Sequence, residues 1–436
     1  METKKTGIGL IGLGTVGRGT LTLLLNERAR IRELTGVDCR LVLAAEVNEQ
    51  AIRQSRLKKS LITRDWKAVV THPDIDIVVE LIGGTGLALE VITAALKNGK
   101  HVVTANKALL ALKGNHLFPL ARKMKRVVGF EAAVCGGIPV IRALKEGLIA
   151  NRIHSLFGIL NGTANYILSK MRFEGKSFAE ALKEAQRLGF AEADPTFDIE
   201  GIDSAHKISI LASLAFGRYF PFHQIHVEGI TRVTDLDIRY AQDMGYVVKL
   251  LAMARLSDGG ERPYITVAPT LIPADELLAE VNNEYNGVFI AGSATGHTLF
   301  TGKGAGGLPT GSAVLSDIVH IASYGETEYG RYTIYPAGLS GKTAPIDRFC
   351  SEFYIRLKVL DKPGVMARIS GMLGKMGISI ATLVQKQSAP DGDAFIVITT
   401  HRTEHRRVQQ ALSRINRLAI VDGAPLCLRI VNDLYH

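Results

Sequence analysis

The stretch "GIGLIGLGTVG", residues 7–17, joins a buried-strand pattern to a glycine-rich turn and the start of a helix. Its glycines have the spacing GxGxxG, between strand and helix, where this motif must stand. The first glycine permits a tight turn, the second lets the backbone approach a pyrophosphate, and the third allows close helix packing. The stretch therefore predicts a dinucleotide site whose phosphates face the helix amides. The predicted contact residues are Gly12, Gly14, Thr15, Val16 and Gly17.

The residues around this turn alternate between strand and helix patterns as far as about residue 130. Helices are predicted at 15–34 and at 86–99, where Gly99 has the position that a left-handed cap favours. Further strands are predicted at 40–47, 75–83 and 100–104. Alternation of this kind predicts a parallel sheet covered on both faces. We therefore expect a Rossmann nucleotide-binding domain over residues 1–133.

Glu46 stands at the end of the second predicted strand. An acidic residue there accepts hydrogen bonds from the ribose hydroxyls of NAD. Its spacing from the glycines is longer than usual, and Arg53, Lys58 and Lys59 follow closely enough to attract the 2′-phosphate of NADP. The sequence favours NAD slightly and leaves the choice between NAD and NADP open.

The composition excludes several classes of protein. The 436 residues are 47% hydrophobic, but no apolar run has the roughly 18 residues that a membrane span needs. The charged start runs directly into the first strand without a signal-peptide pattern, and the four cysteines form no CxxC pair. The net charge of +10 is spread along the chain, which favours small anionic ligands over nucleic acid. We expect a cytoplasmic protein with no membrane or nucleic-acid partner.

Beyond residue 133 the pattern changes to helices and strands that suit an α+β substrate domain, which we place at 134–304. Its segment "DPTFDIEGIDSAHK", residues 194–207, carries Asp203 and Lys207 four residues apart on one predicted helix face. A protonated lysine oriented by a carboxylate can give a proton to a carbonyl oxygen while hydride arrives at the carbon. The alternative is a solvated loop and helix start, and the residues alone do not separate the two. His206 lies off that face and is expected to be structural or solvent-facing.

The segment "AQRLGFAEADPTFDIEGIDSAHK", residues 185–207, is similar throughout to the signature of homoserine dehydrogenases. The chain resembles that family in order and over nearly its full length. The resemblance implies NAD(P)-dependent interconversion of L-homoserine and L-aspartate 4-semialdehyde, on the route to threonine, methionine and isoleucine. The other matching motifs are "GLGTVG" at 12–17, "ELIGG" at 80–84, "GKHVVTANK" at 99–107, "NGTANYI" at 161–167 and "GKGAGGLPTGSAVLSDI" at 302–318.

Carried over position by position, the resemblance gives Lys207 the role of proton donor and Asp203 that of its supporting carboxylate. Glu192 and Asp198 match the acids that hold the substrate, and the substrate's ammonium group needs anionic partners. Lys107 would lie near the nicotinamide, and residues 305–335 would complete the nucleotide domain. The remaining implied cofactor contacts are Gly83, Thr104, Gly304 and Gly306.

The same resemblance implies a monovalent cation, Na⁺, with a structural role. It would be held largely by backbone carbonyl groups, which leave almost no signature in a sequence. The implied ligands are Glu131, Val134, Gly136 and Ile138.

A third unit is predicted at 351–436, after a linker at 336–350 that contains Gly and Pro. Its βαββαβ pattern, with a hairpin turn at "SAPDGD", suits a ferredoxin-like module and resembles the ACT domain, which binds amino acids. Asp361 and Gly364 would lie near an effector, for which threonine is expected by analogy. Ser379 stands where relatives often carry Asn, so a module that only joins subunits is an alternative. The resemblance implies a homo-oligomer, either a dimer or a tetramer.

Two other functions are consistent with parts of the sequence. A phosphorylating semialdehyde dehydrogenase would attack its substrate with a thiolate, and Cys135 is the candidate, although no base stands beside it. An amino-acid sensor with a degenerate dehydrogenase portion is the second alternative. Lys107, Lys207, Asp203 and Glu192 are all present, which argues against degeneration.

Overall fold

The structure is a computed structural model that describes residues 4–257, 259–328, 339–385 and 393–434. As far as they are described, the residues divide into two units. The first contains Met1–Leu156, His206–Gln224 and Tyr285–Gly341; the second contains Phe157–Ala205, Ile225–Glu284 and Lys342–His436.

The first unit opens with six parallel strands in the order β3-β2-β1-β4-β5-β6. This is the doubly wound order of a Rossmann domain, and it confirms the predicted fold class. The elements are β1 (Lys4–Ile11), α1 (Thr15–Asn26), α2 (Arg28–Thr35), β2 (Val37–Ala45), α3 (Glu49–Ser55), β3 (Ile62–Thr63), α4 (Trp66–Thr71), β4 (Ile77–Glu80), α5 (Leu87–Lys97), β5 (His101–Thr104), α6 (Lys107–Lys123) and β6 (Val128–Gly129).

The predicted helix at 15–34 is two helices, because the chain bends at Glu27 between α1 and α2. The apolar side of α1 is buried, whereas α2 has no buried residue. The first residue of α2, Arg28, donates from Nε to Oδ1 of the buried Asp38 at 2.6 Å. That hydrogen bond and a second one from Arg40 outweigh burial and lower the pKa of Asp38 to about 2. The periodicity of the sequence contains no sign of this long-range pair.

The next elements are α7 (Val140–Arg142), β7 (Ile153–Ile159), α8 (Gly162–Glu174), α9 (Phe178–Arg187), α10 (Thr196–Ile199), α11 (Ile202–Phe216), β8 (His226–Val227), α12 (Asp235–Asp243), β9 (Tyr246–Leu256), β10 (Pro263–Pro273), β11 (Tyr285–Gly292), β12 (Gly296–Lys303) and α13 (Gly307–Glu328). α7 is followed directly by a π-helical turn, Ala143–Gly147.

Within the first unit, α13 packs directly on α1. A Cβ atom added at Gly19 would lie 2.0 Å from the carbonyl oxygen of Gly307, and one at Gly311 would lie 2.7 Å from the amide nitrogen of Thr20. Their neighbours Leu21 and Val314 belong to the same hydrophobic core, which also contains strand β1. The two backbones approach this closely only because both positions lack a side chain.

The second unit ends in β13 (Cys350–Leu360), α14 (Val365–Lys375), β14 (Ile380–Val384), β15 (Asp393–Thr400), β16 (Thr403–Glu404), α15 (His405–Ile415) and β17 (Val421–Ile430). The order β17-β13-β15-β14 confirms the predicted ferredoxin-like module. β17 also pairs in parallel with β10, and β10 pairs antiparallel with β9. The predicted turn at 388–393 lies almost wholly outside the described residues, as does the start of the linker at 336–338. Among the described helices, none has both the length and the apolar character needed to cross a bilayer.

We predict that Gly19→Ala destabilises the protein by roughly 1–3 kcal/mol, because the new methyl group overlaps the backbone of α13. Gly371 is the matched control, since it lies inside α14 and a Cβ there meets nothing within 4 Å. Gly371→Ala should be neutral or stabilising by up to about 1 kcal/mol. Chemical denaturation of both variants makes the comparison, and equal effects would contradict the proposed contact.

Candidate active site

The glycine turn joins β1 to α1 with an open space above it. Gly12 has a φ of +98°, and a Cβ at Gly17 would lie 2.1 Å from the carbonyl oxygen of Gly12. Gly14 is the N-cap of α1, and a Cβ there meets nothing within 4 Å. Unpaired amides at the start of a helix and room above them suit a pyrophosphate. The residues present therefore fit a bound dinucleotide, with Thr15 and Val16 in the first turn of α1.

Glu46 follows β2 and reaches the glycine turn. Its Oε2 accepts a hydrogen bond from the Leu13 amide at 2.6 Å, and its Oε1 accepts from the amides of Val47 and Asn48 at 2.8 and 2.9 Å. The sequence predicted its position but not this role in fixing the turn. Because a carboxylate oxygen can accept about two hydrogen bonds, Oε2 keeps capacity for a ribose hydroxyl.

Glu80 joins two of the predicted cofactor residues, and sequence reasoning assigned it no role. It is fully buried at the end of β4, where its Oε1 accepts from the amides of Ile82 and Gly83 at 3.0 and 3.1 Å. Its Oε2 accepts from the Thr104 hydroxyl at 2.6 Å. An acidic residue at the end of a wholly apolar strand was the signal that could have identified it.

Lys107 is the first residue of α6, and Asn106 caps that helix. The Asn106 side chain accepts from the Leu109 amide at 3.0 Å and donates to the Gly84 carbonyl at 2.7 Å. Lys107 is therefore tied to the same edge of the sheet as Gly83 and Thr104. It is half-buried there.

The loop with Gly304 and Gly306 packs against the predicted cation segment. The Gly137 amide donates to the Lys303 carbonyl at 3.0 Å, and a Cβ at Gly304 would lie 2.1 Å from the Asn286 side chain. Gly306 has a φ of +115°. The structure thus brings the loop of Gly304 and Gly306 into contact with the predicted cation segment, two regions that were predicted separately from the sequence.

The cation segment contains two consecutive positive φ angles, 54° at Cys135 and 44° at Gly136. Val134 and Gly136 are buried, and within the described part of the chain no hydrogen bond reaches either carbonyl oxygen. Buried carbonyl groups normally have a partner, so these two fit a bound cation. Ile138 is buried in the same segment.

The Glu131 side chain forms its hydrogen bonds with backbone amides and not with the predicted cation. Its two carboxylate oxygens accept from the amides of Ile141 and Arg142 at 2.8 and 2.9 Å. Burial, together with the neighbouring Asp317, raises the pKa of Glu131 to about 7. In the described residues, no group of three or more His, Cys, Asp or Glu side chains could hold a metal ion.

Cys135 is 1% exposed, and its Sγ lies 3.8 Å from the side-chain nitrogen Nδ2 of Asn286. A buried thiol lacks the access that a reactive thiolate needs. This environment favours the interpretation of Cys135 as a buried filler over a thiolate mechanism.

The predicted helix with Asp203 and Lys207 is α11, and both residues are buried, at 2% and 7% exposure. Because both residues are buried, the alternative interpretation of this segment as a solvated loop and helix start is excluded. His206 is also buried and packs against Phe222 with ring centroids 4.6 Å apart, as expected of a structural residue.

Asn161 connects the acids of the second unit, and sequence reasoning assigned it no role. Its Nδ2 donates to Asp198 Oδ1 at 2.7 Å and to Asp203 Oδ2 at 2.9 Å, while its Oδ1 caps α8 by accepting from the Ala164 amide at 2.8 Å. One amide therefore holds two carboxylates together. Glu192 is exposed and lies outside this hydrogen-bonded group. Asp194 is also exposed and accepts from the Thr196 amide at 3.0 Å, which matches the simple loop reading.

Lys249 is a second residue that sequence reasoning missed. It is 1% exposed on β9, and its Nζ donates to the carbonyl of Val281 at 2.6 Å and to the side chains of Asn282 and Asn165 at 3.0 and 3.3 Å. Burial, with the nearby charge of Arg172, lowers its pKa to about 7.

The predicted effector residues lie at the start of α14 in the second unit. Gly364 is the N-cap with a φ of +88°, and the Asp361 carboxylate accepts from the Gln385 side chain at 3.2 Å.

The doubly wound sheet, the open glycine turn and a buried lysine on a helix with a carboxylate define a dinucleotide-dependent oxidoreductase. Three family descriptions match the chain: "Homoserine dehydrogenase, NAD binding domain" over residues 12–131, "Homoserine dehydrogenase" over 139–319, and "ACT domain" over 353–420. The chain belongs to the homoserine dehydrogenase family.

Named relatives support this assignment. The homoserine dehydrogenases of Neisseria gonorrhoeae and Pseudomonas aeruginosa are each 44% identical, covering 98% of this chain and 99% of the relative. A crystal structure of a homoserine dehydrogenase from Thiobacillus denitrificans is 43% identical, with a TM-score of 0.93 and 99% of both chains covered. A hyperthermophilic archaeal homoserine dehydrogenase in complex with NADPH is 27% identical, with a TM-score of 0.61 and 72% and 97% covered.

We predict that Gly14→Ala weakens dinucleotide binding by at least about tenfold, because the methyl group enters the open space above the turn. Stability should hardly change, since nothing lies within 4 Å of that Cβ. Fluorescence titration with NADH and NADPH, beside a thermal melt without cofactor, separates the two effects. Unchanged affinity for both would contradict the placement of the pyrophosphate.

For Asn161→Asp we expect kcat/KM for L-homoserine to fall by about 30- to 100-fold, because both donors are lost and a third carboxylate is added. The helix cap is retained, since Asp caps as well as Asn. Asn151→Asp is the control: its side-chain oxygen only accepts, from Ala294 and Thr295 amides at 2.9 Å. Steady-state rates of the two variants should differ; equal rates would show that Asn161 does not position the acids.

Lys249 gives stability a pH dependence. Its pKa of about 7 in the folded protein lies below the value of about 10.4 in an unfolded chain. Between these values the unfolded chain binds more protons, so this group makes the free energy of unfolding rise as pH rises. In Lys249→Met the slope above about pH 7 should be smaller by up to roughly 1.4 kcal/mol per unit. Urea denaturation at several pH values tests this, with the exposed Lys183→Met as the unchanged control.

Proposed function

We propose that this homoserine dehydrogenase interconverts L-homoserine and L-aspartate 4-semialdehyde with Lys207 as the proton-transferring residue. The observation that carries the proposal is the burial of Asp203 and Lys207, four residues apart on α11. Removing two opposite charges from water is unfavourable for stability alone, so such a pair is typical of a functional site.

The bound nicotinamide would supply or accept the hydride at the carbonyl carbon. In aldehyde reduction Lys207 gives a proton to the carbonyl oxygen, and in alcohol oxidation it takes the hydroxyl proton. Asp203 orients the ammonium group of Lys207. Lys107, at the first turn of α6, stands beside the nicotinamide and contacts cofactor and substrate.

Asp198 and Glu192 bind the ammonium group of the amino-acid substrate. Support comes from Asn161, which fixes Asp198 beside Asp203 through hydrogen bonds of 2.7 and 2.9 Å. Glu192 is exposed on the loop that precedes Asp198. Its role in binding therefore requires that its carboxylate contacts the substrate directly.

The cofactor is NAD or NADP, held by the glycine turn, Glu46, Gly83, Thr104, Gly304 and Gly306. Glu46 keeps an acceptor for a ribose hydroxyl, which favours NAD. The bound NADPH named for an archaeal relative favours NADP. We therefore propose that both nucleotides bind.

A Na⁺ ion is proposed at the carbonyl groups of Glu131, Val134, Gly136 and Ile138. It is supported by the buried residues Val134 and Gly136, whose carbonyl oxygens accept no hydrogen bond from the part of the chain that the structure describes. The ion would hold the segment against the loop of Gly304 and take no part in proton transfer.

We place the reaction in the synthesis of threonine, methionine and isoleucine, with threonine as feedback inhibitor through the ACT module, at Asp361 and Gly364. A cytoplasmic enzyme is supported by the four cysteines, none of which forms a disulfide within the described residues. Assembly into a dimer or tetramer is supported by β12, an outer strand whose edge is unpaired in the described part of the chain.

The test is oxidation of L-homoserine by the wild type and by Lys207→Ala, followed as formation of reduced nicotinamide with each nucleotide. We expect kcat to fall by roughly 100- to 10,000-fold while nucleotide affinity is retained. Lys183→Ala, an exposed lysine on α9, should keep full activity. A Lys207→Ala enzyme with near-normal kcat would exclude the lysine as the proton donor.

A further inference from the structure

A cavity of about 210 Å³ lies in the first unit, at the amino-terminal edge of the six-stranded sheet. Its walls come from the starts of β1, β4 and β5, from Arg126 just before β6, and from the second half of α13. The glycine turn follows the other end of β1, so the cavity and the turn lie at opposite edges of the sheet. The volume has room for about seven water molecules, which suits a small ion and not a dinucleotide.

The charges that line the cavity are mostly positive. Four cationic side chains and one carboxylate are present, from Lys4, Lys5, Lys100, Arg126 and Asp76. The Asp76 carboxylate already accepts a hydrogen bond from the Gly7 amide, at 2.7 Å through Oδ2. A concave surface with an excess of positive charge attracts anions.

Two of the cationic side chains are held in place by the backbone and keep donors for a ligand. Arg126 donates from Nε to the Gly99 carbonyl and from Nη1 to the Lys125 carbonyl, so its guanidinium is fixed in position. Its Nη2 makes no hydrogen bond to any residue that the structure describes. Lys100 donates from Nζ to the His72 carbonyl at 2.8 Å, which uses one of its three N–H groups.

Two uncharged side chains also line the cavity. The Nδ1 atom of His101 accepts from the Val127 amide at 3.1 Å, so the proton of the neutral ring is on Nε2, which can donate. Burial, with the charges of Arg126 and Lys4, lowers the pKa of His101 to about 4. Thr6 is 3% exposed, and its Oγ1 is buried with no hydrogen-bond partner among the described residues. A buried hydroxyl without a partner is unfavourable, and a ligand oxygen can supply the acceptor.

We propose that this cavity binds a phosphate group, either as the free ion or as part of a small phosphomonoester. The phosphate oxygens accept hydrogen bonds from Arg126 Nη2, Lys100 Nζ and His101 Nε2, while Lys4 and Lys5 add positive charge. A phosphate dianion presents several acceptor oxygens, and this lining presents mainly donors, so the two are complementary. A small monovalent anion such as chloride leaves most of these donors without an acceptor.

The bound phosphate group connects parts of the nucleotide domain that are distant in sequence. Residues of β1, β5 and α13 line the cavity together, the last through Ile321 and Ala322. A ligand that binds only the folded chain stabilises it, so phosphate raises the unfolding temperature. No residue assigned above to the cofactor, the substrate or the cation lines this cavity, and the proposal therefore does not depend on the proposed function.

Substitutions can separate this cavity from the glycine turn, which also suits a phosphate. Arg126→Gln and Lys100→Gln each remove one cationic donor of the cavity, and Thr6→Val removes the unpaired hydroxyl while keeping the shape of the side chain. Lys97→Gln is the matched control, because Lys97 is exposed at the end of α5 and does not line the cavity. Gly14→Ala changes the glycine turn instead.

Calorimetric titration of the full chain with inorganic phosphate, glycerol 3-phosphate and chloride, at constant ionic strength and with and without saturating NADH, tests binding. We expect a phosphate to bind whether or not NADH is present, and chloride not to bind. Affinity should fall by at least about tenfold in Arg126→Gln and Lys100→Gln, fall less in Thr6→Val, and stay unchanged in Lys97→Gln and Gly14→Ala. Tighter binding of glycerol 3-phosphate than of phosphate identifies an ester as the ligand, and the reverse identifies the free ion.

A thermal melt gives a second readout. Phosphate should raise the unfolding temperature of the wild type and of Lys97→Gln, and not that of Lys100→Gln. Thr6→Val should be at least as stable as the wild type without phosphate, because it loses only an unpaired hydroxyl. This variant keeps the test valid if Arg126→Gln does not fold.

Three results would overturn the proposal. The first is no binding of either phosphate, and the second is binding that NADH or Gly14→Ala abolishes while Lys100→Gln and Thr6→Val retain it, which would place the ion at the glycine turn. The third is equal weakening by Lys97→Gln and Lys100→Gln, which would show only the general attraction of a basic surface. Binding is measured without turnover, so loss of activity in Lys207→Ala has no bearing on it.

Discussion

Backbone amides just beyond the ends of strands and at the starts of helices have no partner within the element and need acceptors, and in this protein carboxylates supply several of them. Glu46 accepts from three amides around the glycine turn, and Glu80 accepts from two after β4. Glu131 accepts from two amides of α7, and Asp237 binds the Thr234 amide, the Tyr354 hydroxyl and Arg356. Since charge-assisted hydrogen bonds are the stronger ones, these acids fix loops that would otherwise depend on water.

This use of acids separates carboxylates that accept from backbone amides of loops from those that a side-chain amide holds together. Glu80 is surrounded by donors on the protein, so its charge is already compensated and it makes a poor ligand-binding group. Asp198 and Asp203 differ, because one neutral side-chain amide, that of Asn161, donates to both. Two adjacent carboxylates favour a cation between them.

Sequence reasoning predicted the features that follow from a periodic pattern or from a motif with fixed spacing. The parallel sheet, the βαββαβ module, the glycine turn and the helix with Lys207 follow from periodicity and motif, and the fold class is confirmed. Glu80, Asn161 and Lys249 were missed because each acts through partners distant in sequence; Lys249, for example, meets Val281 and Asn165. The bend at Glu27 was missed for the same reason, because the hydrogen bond between Arg28 and Asp38 leaves no periodic pattern in the sequence.

The placement of Asp203 and Lys207 on one helix has a mechanical consequence. α11 is a continuous helix over Ile202–Phe216, and both residues lie in its first two turns. A helix rises about 1.5 Å per residue, so the two Cα atoms are held at an axial separation of roughly 6 Å by the helix itself. The separation of these two residues along the helix is then independent of the contacts that any loop makes. A rearrangement of the loops at Gly83 and Gly304 therefore leaves this axial separation unchanged.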